Sequence, residues 1–218
     1  MIGAVLISVG SSGLNWNGIG KIIIALIASP VVAIIFGVVI MNILFRLFGS
    51  FSPHSVNQNF RRMQILSAAT MAFSHGSNDA QKSMGIITLA LFSGGFISEF
   101  EVPTFVKILC ATAMAIGTAS GGWRIIKTVG GKIFKLEPIS GFAADLNSSI
   151  VVFGATLLHL PVSTTHVVSG SIMGVGTAKR VNAVHWGVAQ DMLKAWIMTI
   201  PLTAIMGAAA FLAVEMIF

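Results

Sequence analysis

The stretch Phe73 to Gly85, FSHGSNDAQKSMG, sets His75, Asn78, Asp79, Gln81 and Lys82 inside an otherwise apolar run. A carboxylate, an amide and an ammonium at membrane depth are costly and mark function by default. Gly is a poor helix former and Ser prefers caps. The sequence therefore predicts that a helix entering from Met63 breaks at Gly76 and Ser77. Ser77, Asn78 or Asp79 would then cap a second half-helix running through Gln81 and Lys82. The new N-terminus offers amide N–H groups and partial positive charge to an anion. The preceding half ends in carbonyls, which together with Asp79 suit a small cation. Two other readings compete. Asn78 and Asp79 could simply cap a re-entrant turn while Lys82 pairs with Asp79 at i,i+3. His75 and Asp79 could form a metal pair at i,i+4. Gly76 between them argues against one continuous face, and no metal site is assigned.

The second constellation is HLPVSTTHVVSG, His159 to Gly170. Pro161 ends the incoming helix, and a Ser or Thr at a helix start is an N-cap by preference. Ser163, Thr164 and Thr165 with backbone N–H groups form a neutral, donor-rich cup, and His166 adds an imidazole able to donate to a charged ligand. The plainer alternative is a simple cap with interhelical hydroxyl contacts, helped by the small residues Ser169, Gly170, Ser171 and Gly174. Two interrupted segments in one chain tilt the balance toward a transporter site. Asp145 reads equally as a helix-start charge or a site residue, and Asn147, Ser148 and Ser149 read as packing groups.

These groups need helices to hold them. The 218 residues are 55% hydrophobic and 9% charged, with mean hydropathy +0.91. Soluble domains carry roughly a quarter charged residues, so the composition implies an all-α, polytopic helical membrane protein. About six segments follow: Ile22–Phe45, Met63–Ile97, Pro103–Gly121, Ile139–Leu160, Val162–Thr177 and Val188–Phe218. Most are near the length that crosses a bilayer; Met63–Ile97 is too long for one ordinary span, Val188–Phe218 is long enough to tilt, and the short fifth suits a re-entrant piece. Arg46, Arg61, Arg62, Arg124, Lys127, Lys132, Lys135, Lys179 and Arg180 fall between segments, whereas the loop from Ser98 to Val102 carries Glu99 and Glu101. That alternation obeys the positive-inside rule with both termini outside. It accounts for the net charge of +6 without a nucleic-acid partner. Trp16, Trp123 and Trp186 read as interface anchors. The lone Cys110 excludes a disulfide framework, and Met1 leads into IGAVLISVG with no basic signal-peptide region.

The motifs SHGSNDAQKSMG and GFAADLNSSIVVFGATLLHLPVSTTHVVSGSIMGVG, with ATAMAIGTASGGWRIIKTVGGKIFKLEP between them, resemble the bacterial inorganic phosphate transporter (PiT) family over nearly the whole chain. The resemblance implies symport of phosphate, free or as a metal–phosphate complex, with protons or sodium, in a multi-pass protein of the cell membrane without a bound cofactor. By position, Asn78 and Asp79 match the family's GxND signature, and Ser163, Thr164 and Thr165 its hydroxyl cluster, with His166 beside it. Phosphate is assigned to Ser77, Asn78, Ser163, Thr164, Thr165, His166 and Lys82, and the coupling cation to Asp79 and Asn78. Family members are inverted repeats in which each half carries both motifs, and here one of each is present. The expected organisation is a connecting membrane helix and cytoplasmic loop over residues 1–62 and a second repeat over 63–218. Phosphate, membrane lipid and a separately encoded first half or a second copy are the expected partners. Rival readings are a truncated remnant or structural subunit, a divalent-metal transporter using His75, Asp79 and His166, and an intramembrane enzyme.

Overall fold

The computed structural model describes residues 1–216 and every side chain within them except those at 53 and 123–129. The side chains of Trp123, Arg124 and Lys127 thus lie outside the described residues. Regular structure among the described residues is helical: α1 (Ile2–Ser8), α2 (Trp16–Phe48), α3 (Pro53–Ser93), α4 (Thr104–Gly131), α5 (Pro138–Leu157), α6 (Thr164–Lys179) and α7 (Trp186–Glu215), with 3-10 turns at Ser11–Gly13 and Val181–Ala183. Each of the six expected segments corresponds to one helix, α2 to α7. Among the described residues three helices are long and apolar enough to cross a membrane, over Trp16–Phe48, Thr104–Gly122 and Trp186–Glu215. The helices run further into the expected loops than the apolar pattern does. Ser52 caps α3 by accepting from the Ser55 amide, with Pro53 in the first turn, the pairing that starts helices well. At the other end of the hairpin, α4 runs on to Gly131.

The expected break at Gly76 and Ser77 is absent: α3 is one helix of 41 residues. The physical reason is one of magnitude. A glycine inside a helix costs about 1 kcal/mol relative to alanine. A break would leave four amides and four carbonyls without helical partners, each worth several kcal/mol where no water can reach. Continuity wins.

The second expected break is present. Leu158 closes α5, the His159 amide donates to Thr156 and the Leu160 amide to Ala155. This is the two-bond Schellman ending, with His159 in the left-handed region at φ 55°. Pro161 follows, and α6 begins at Thr164 with Ser163 as its cap, the Ser163 hydroxyl accepting from the His166 amide at 3.5 Å.

The chain divides into two compact units, residues 25–184 and residues 1–24 with 185–218. In the larger unit α3 packs on α4 and α5, and α5 on α6. Buried on nearly every side, α6 keeps Val167, Ser169, Gly170 and Ser171 among its inward residues. Against α2 it presents Gly170 and Gly174: a Cβ at Gly170 would sit 2.7 Å from the Pro30 carbonyl oxygen, and one at Gly174 would overlap the Ile34 carbonyl. Small residues let helix backbones meet this closely. Asn147, fully buried on α5, donates to the Ala33 carbonyl at 2.7 Å and to the Ser171 hydroxyl at 2.8 Å, tying three helices together. Asn147→Val is expected to cost about 2–3 kcal/mol by leaving the Ser171 hydroxyl short of a donor. Thermal unfolding in detergent measures this.

In the smaller unit α1 packs on α7, with Gly3 set against the Ala204 carbonyl so closely that a Cβ would overlap it. The two glycine contacts correspond. Gly3 and Gly174 stand equally far from the last residues of their helices, Ser8 and Lys179. Ile34 and Ala204 stand equally far beyond Trp16 and Trp186, which open α2 and α7. Each of α2 and α7 also follows a 3-10 turn and contains an interior proline, Pro30 or Pro201.

Candidate functional site

The side chains singled out on α3 meet the tip of α6. Asp79 is the hub. Its Oδ1 accepts from Lys82 Nζ at 2.9 Å, and its Oδ2 accepts from the Thr164 hydroxyl at 3.1 Å. Lys82 also donates to the Val162 carbonyl at 2.9 Å, in the link between α5 and α6. Residues 78–82 and 162–166 are thus one cluster, although only α6 offers a helix end. The carbonyl expected from a broken α3 comes instead from Val162. The junction is flank to tip.

Helix geometry explains the convergence. Ser74, Asn78 and Lys82 recur every four residues and so share a face of α3, the face packed against α5 and α6. Asn78 is 5% exposed and donates through Nδ2 to the Thr156 hydroxyl at 3.1 Å. Thr156 has already given its own proton to the Val152 carbonyl, so this bond fixes which way the amide points. Asn78 Oδ1 remains buried with no hydrogen-bond partner, an acceptor suited to a cation or a donor and ill suited to an anion. Thr156 escaped the sequence reading; the sole signal was a hydroxyl in the apolar run GATLLH.

At α6, Thr164 is 3% exposed and turned to Asp79, while Ser163 is half-buried and Thr165 exposed. The amides of a first helical turn have no carbonyl of their own helix to meet. With the hydroxyls of Ser163 and Thr165 they make a smaller set of donors than the three-hydroxyl cup expected from the sequence, because the Thr164 hydroxyl is given to Asp79. The ring of His166 is bonded to the Leu26 backbone on α2. That bond has a cause in the sequence: Pro30 has no N–H, so the carbonyl four residues earlier loses its helical partner. Ser77 is half-buried and contributes no side-chain hydrogen bond to the cluster.

Because α3 is continuous, His75 and Asp79 do share a face, and His75 Nδ1 lies 3.7 Å from Asp79 Oδ2. Among the described residues no three His, Cys, Asp or Glu side chains gather to hold a metal ion. Asp145 lies further along the α3–α5 interface, where Oδ2 accepts from Ser67 at 3.2 Å and its backbone carbonyl accepts from Ser149. Ser148 bonds back to Ala144. With Asn147 bridging helices, these serines are packing groups, as the sequence suggested.

A helical protein that crosses the membrane and gathers a carboxylate, an ammonium and a capped helix tip where its helices meet belongs among the multi-pass membrane proteins. The chain belongs to the phosphate transporter family, whose model matches residues 49–207. It is 49% identical over 217 residues to a probable low-affinity inorganic phosphate transporter of Bacillus subtilis (strain 168), covering 99% of this chain and 65% of that protein. A protein of the same description from Rhizobium meliloti (strain 1021) is 43% identical, covering 100% and 65% respectively. The chain therefore spans about two thirds of the length of these relatives. Among solved structures, one described as the sodium-dependent phosphate transporter superposes with a TM-score of 0.87 at 24% identity, covering 99% of this chain and 71% of that one. That likeness establishes the fold. Family membership sets the intramembrane-enzyme reading aside and places the chain in the cell membrane.

Proposed function

We propose that this chain carries a cation-coupled phosphate site and works in phosphate symport. The observation that carries the reading is the Asp79 carboxylate bonded at 3.1 Å to Thr164, in the first turn of α6. Phosphate, free or as a metal–phosphate complex, would take the hydroxyls of Ser163 and Thr165 and the Thr164 and Thr165 amides at the α6 tip, with Ser77 and Lys82 at the rim. Asp79 would stand close to it. Two like charges about 5 Å apart repel by roughly 3 kcal/mol at an effective dielectric of about 20. With Lys82 turned from Asp79 toward phosphate, a cation held by Asp79 and Asn78 Oδ1 cancels that repulsion, so anion and cation bind together. Proton or sodium can serve, since each neutralises the carboxylate.

One such constellation does not enclose an oxyanion. Thr165 is exposed and the Lys82 side chain is 46% exposed, and neutral donors replace a hydration shell only in an enclosed site. The reading therefore includes a second constellation facing this one, in an inverted first half or a second copy. The matched glycine contacts and proline-bearing helices α2 and α7 support a repeated design. Reconstituted into liposomes as a verified monomer, the chain is expected to take up labelled phosphate at background rate, with uptake restored by co-reconstituting the complementary half. Robust uptake by the monomer removes the need for that second constellation.

A further inference from the structure

The ammonium of Lys82 touches two oxygens that would otherwise suit a metal cation. It lies 2.9 Å from Asp79 Oδ1 and 2.9 Å from the Val162 carbonyl, and the Thr164 hydroxyl is fixed on the other carboxylate oxygen. Carboxylate oxygen and unwound carbonyl at a helix break are the ligands that membrane proteins offer to sodium. Next to them in sequence, buried Asn78 Oδ1 has no hydrogen-bond partner. Lys82 is a compact charge on a flexible four-carbon stem, anchored one helical turn from Asp79 and half in the open.

We propose that Lys82 is a tethered stand-in for the coupling cation: its ammonium fills the position between Asp79 and the Val162 carbonyl, and a sodium-sized ion enters only by displacing it. The inference deepens the symport reading above and rests on it for biological meaning, though its physical content concerns cation binding alone. It makes Lys82 the residue that sets which cation the site accepts. A proton neutralises Asp79 and frees the ammonium, whereas sodium must compete with it. Because the competitor is covalently attached, its local concentration exceeds that of dilute salt, and the apparent sodium affinity falls by about tenfold or more.

The test uses the full chain purified in detergent, without phosphate, at constant ionic strength held with choline chloride. Thermal midpoint is followed as sodium chloride replaces choline. Lys82→Met and Lys82→Gln are expected to gain a saturable sodium-dependent stabilisation at about tenfold lower sodium than the wild type needs, and Lys82→Arg to stay as insensitive as wild type. Adding Asp79→Asn to either neutral variant should erase the response. The glutamine variant keeps a donor for the Val162 carbonyl, and it decides the matter if the methionine variant does not elute as wild type. Neutral variants no more sodium-responsive than wild type, or a wild type as responsive as they are, overturn the proposal. A sodium response alongside failed phosphate uptake in the reconstituted assembly would defeat the transport reading and leave this one standing.

Discussion

Replacing Asp79 by asparagine in a complete assembly is expected to cut cation-driven phosphate uptake by about a hundredfold or more while membrane insertion stays intact. Asparagine keeps the size of the side chain and an oxygen for the Thr164 hydroxyl, now 3.1 Å from Oδ2. What disappears is the charge. Lys82 loses its counterion, and on the symport reading proposed above the coupling cation loses its principal ligand. Removing one partner from a partly buried, hydrogen-bonded charge pair costs about 2–5 kcal/mol, and each 1.4 kcal/mol is about a factor of ten in rate. Labelled-phosphate uptake into proteoliposomes under an imposed cation gradient measures it, beside insertion judged by resistance to alkaline extraction. Transport at the wild-type rate would remove Asp79 from the mechanism and with it the explanation of coupling.

The second large effect concerns the scaffold. Alanine at Gly174 puts a Cβ onto the Ile34 carbonyl of α2. Backbone cannot swing aside as a side chain can, so α6 must move away from α2 along its length. Overpacking of this kind costs about 1–3 kcal/mol and more where neighbours are rigid; here about 3 kcal/mol or more is expected. The matched control is Gly154→Ala on α5, where nothing lies within 4 Å of the added methyl. There the same substitution removes only the helix penalty of glycine, about 1 kcal/mol, and the protein should become more stable. Thermal unfolding of the two variants should shift in opposite directions. Equal shifts would mean that the α2–α6 contact is not close.

Much of the architecture was written in the apolar pattern because membrane helices are selected by hydrophobic length. All six expected segments became helices, and Pro161 announced the one true interruption. What misled the sequence reading was Gly76 beside Ser77. Helix propensities weigh one residue against another in water, and they count for little once every broken backbone bond would face hydrocarbon. The error had a consequence for the site. A kinked α3 would have brought its own carbonyls and amides; a straight α3 brings only side chains, and Val162 and the α6 tip supply the backbone groups. Asp79, Lys82 and Thr164 were legible as polar intruders. Their mutual contacts were not, because nothing in one dimension shows that residues 79 and 164 meet. Thr156 and the Leu26 backbone were equally hidden, the first as a lone hydroxyl, the second as a carbonyl whose need for a partner follows from Pro30 but whose partner does not.

The shortness of α6 has an electrical meaning. Its 16 residues span about 24 Å, less than the roughly 30 Å of a hydrocarbon core. With Lys179 and Arg180 held at one surface and the helix along the membrane normal, its capped tip lies about four-fifths of the way across. On the symport reading proposed above, an ion arriving from the far face would cross about one fifth of the voltage drop before it met Asp79, and the remaining four-fifths on leaving. At about 2.3 kcal/mol per elementary charge per 100 mV, the entry step feels about 0.5 kcal/mol and the exit step nearly 2. Resting potential would thus act chiefly on release of cargo and only lightly on its capture.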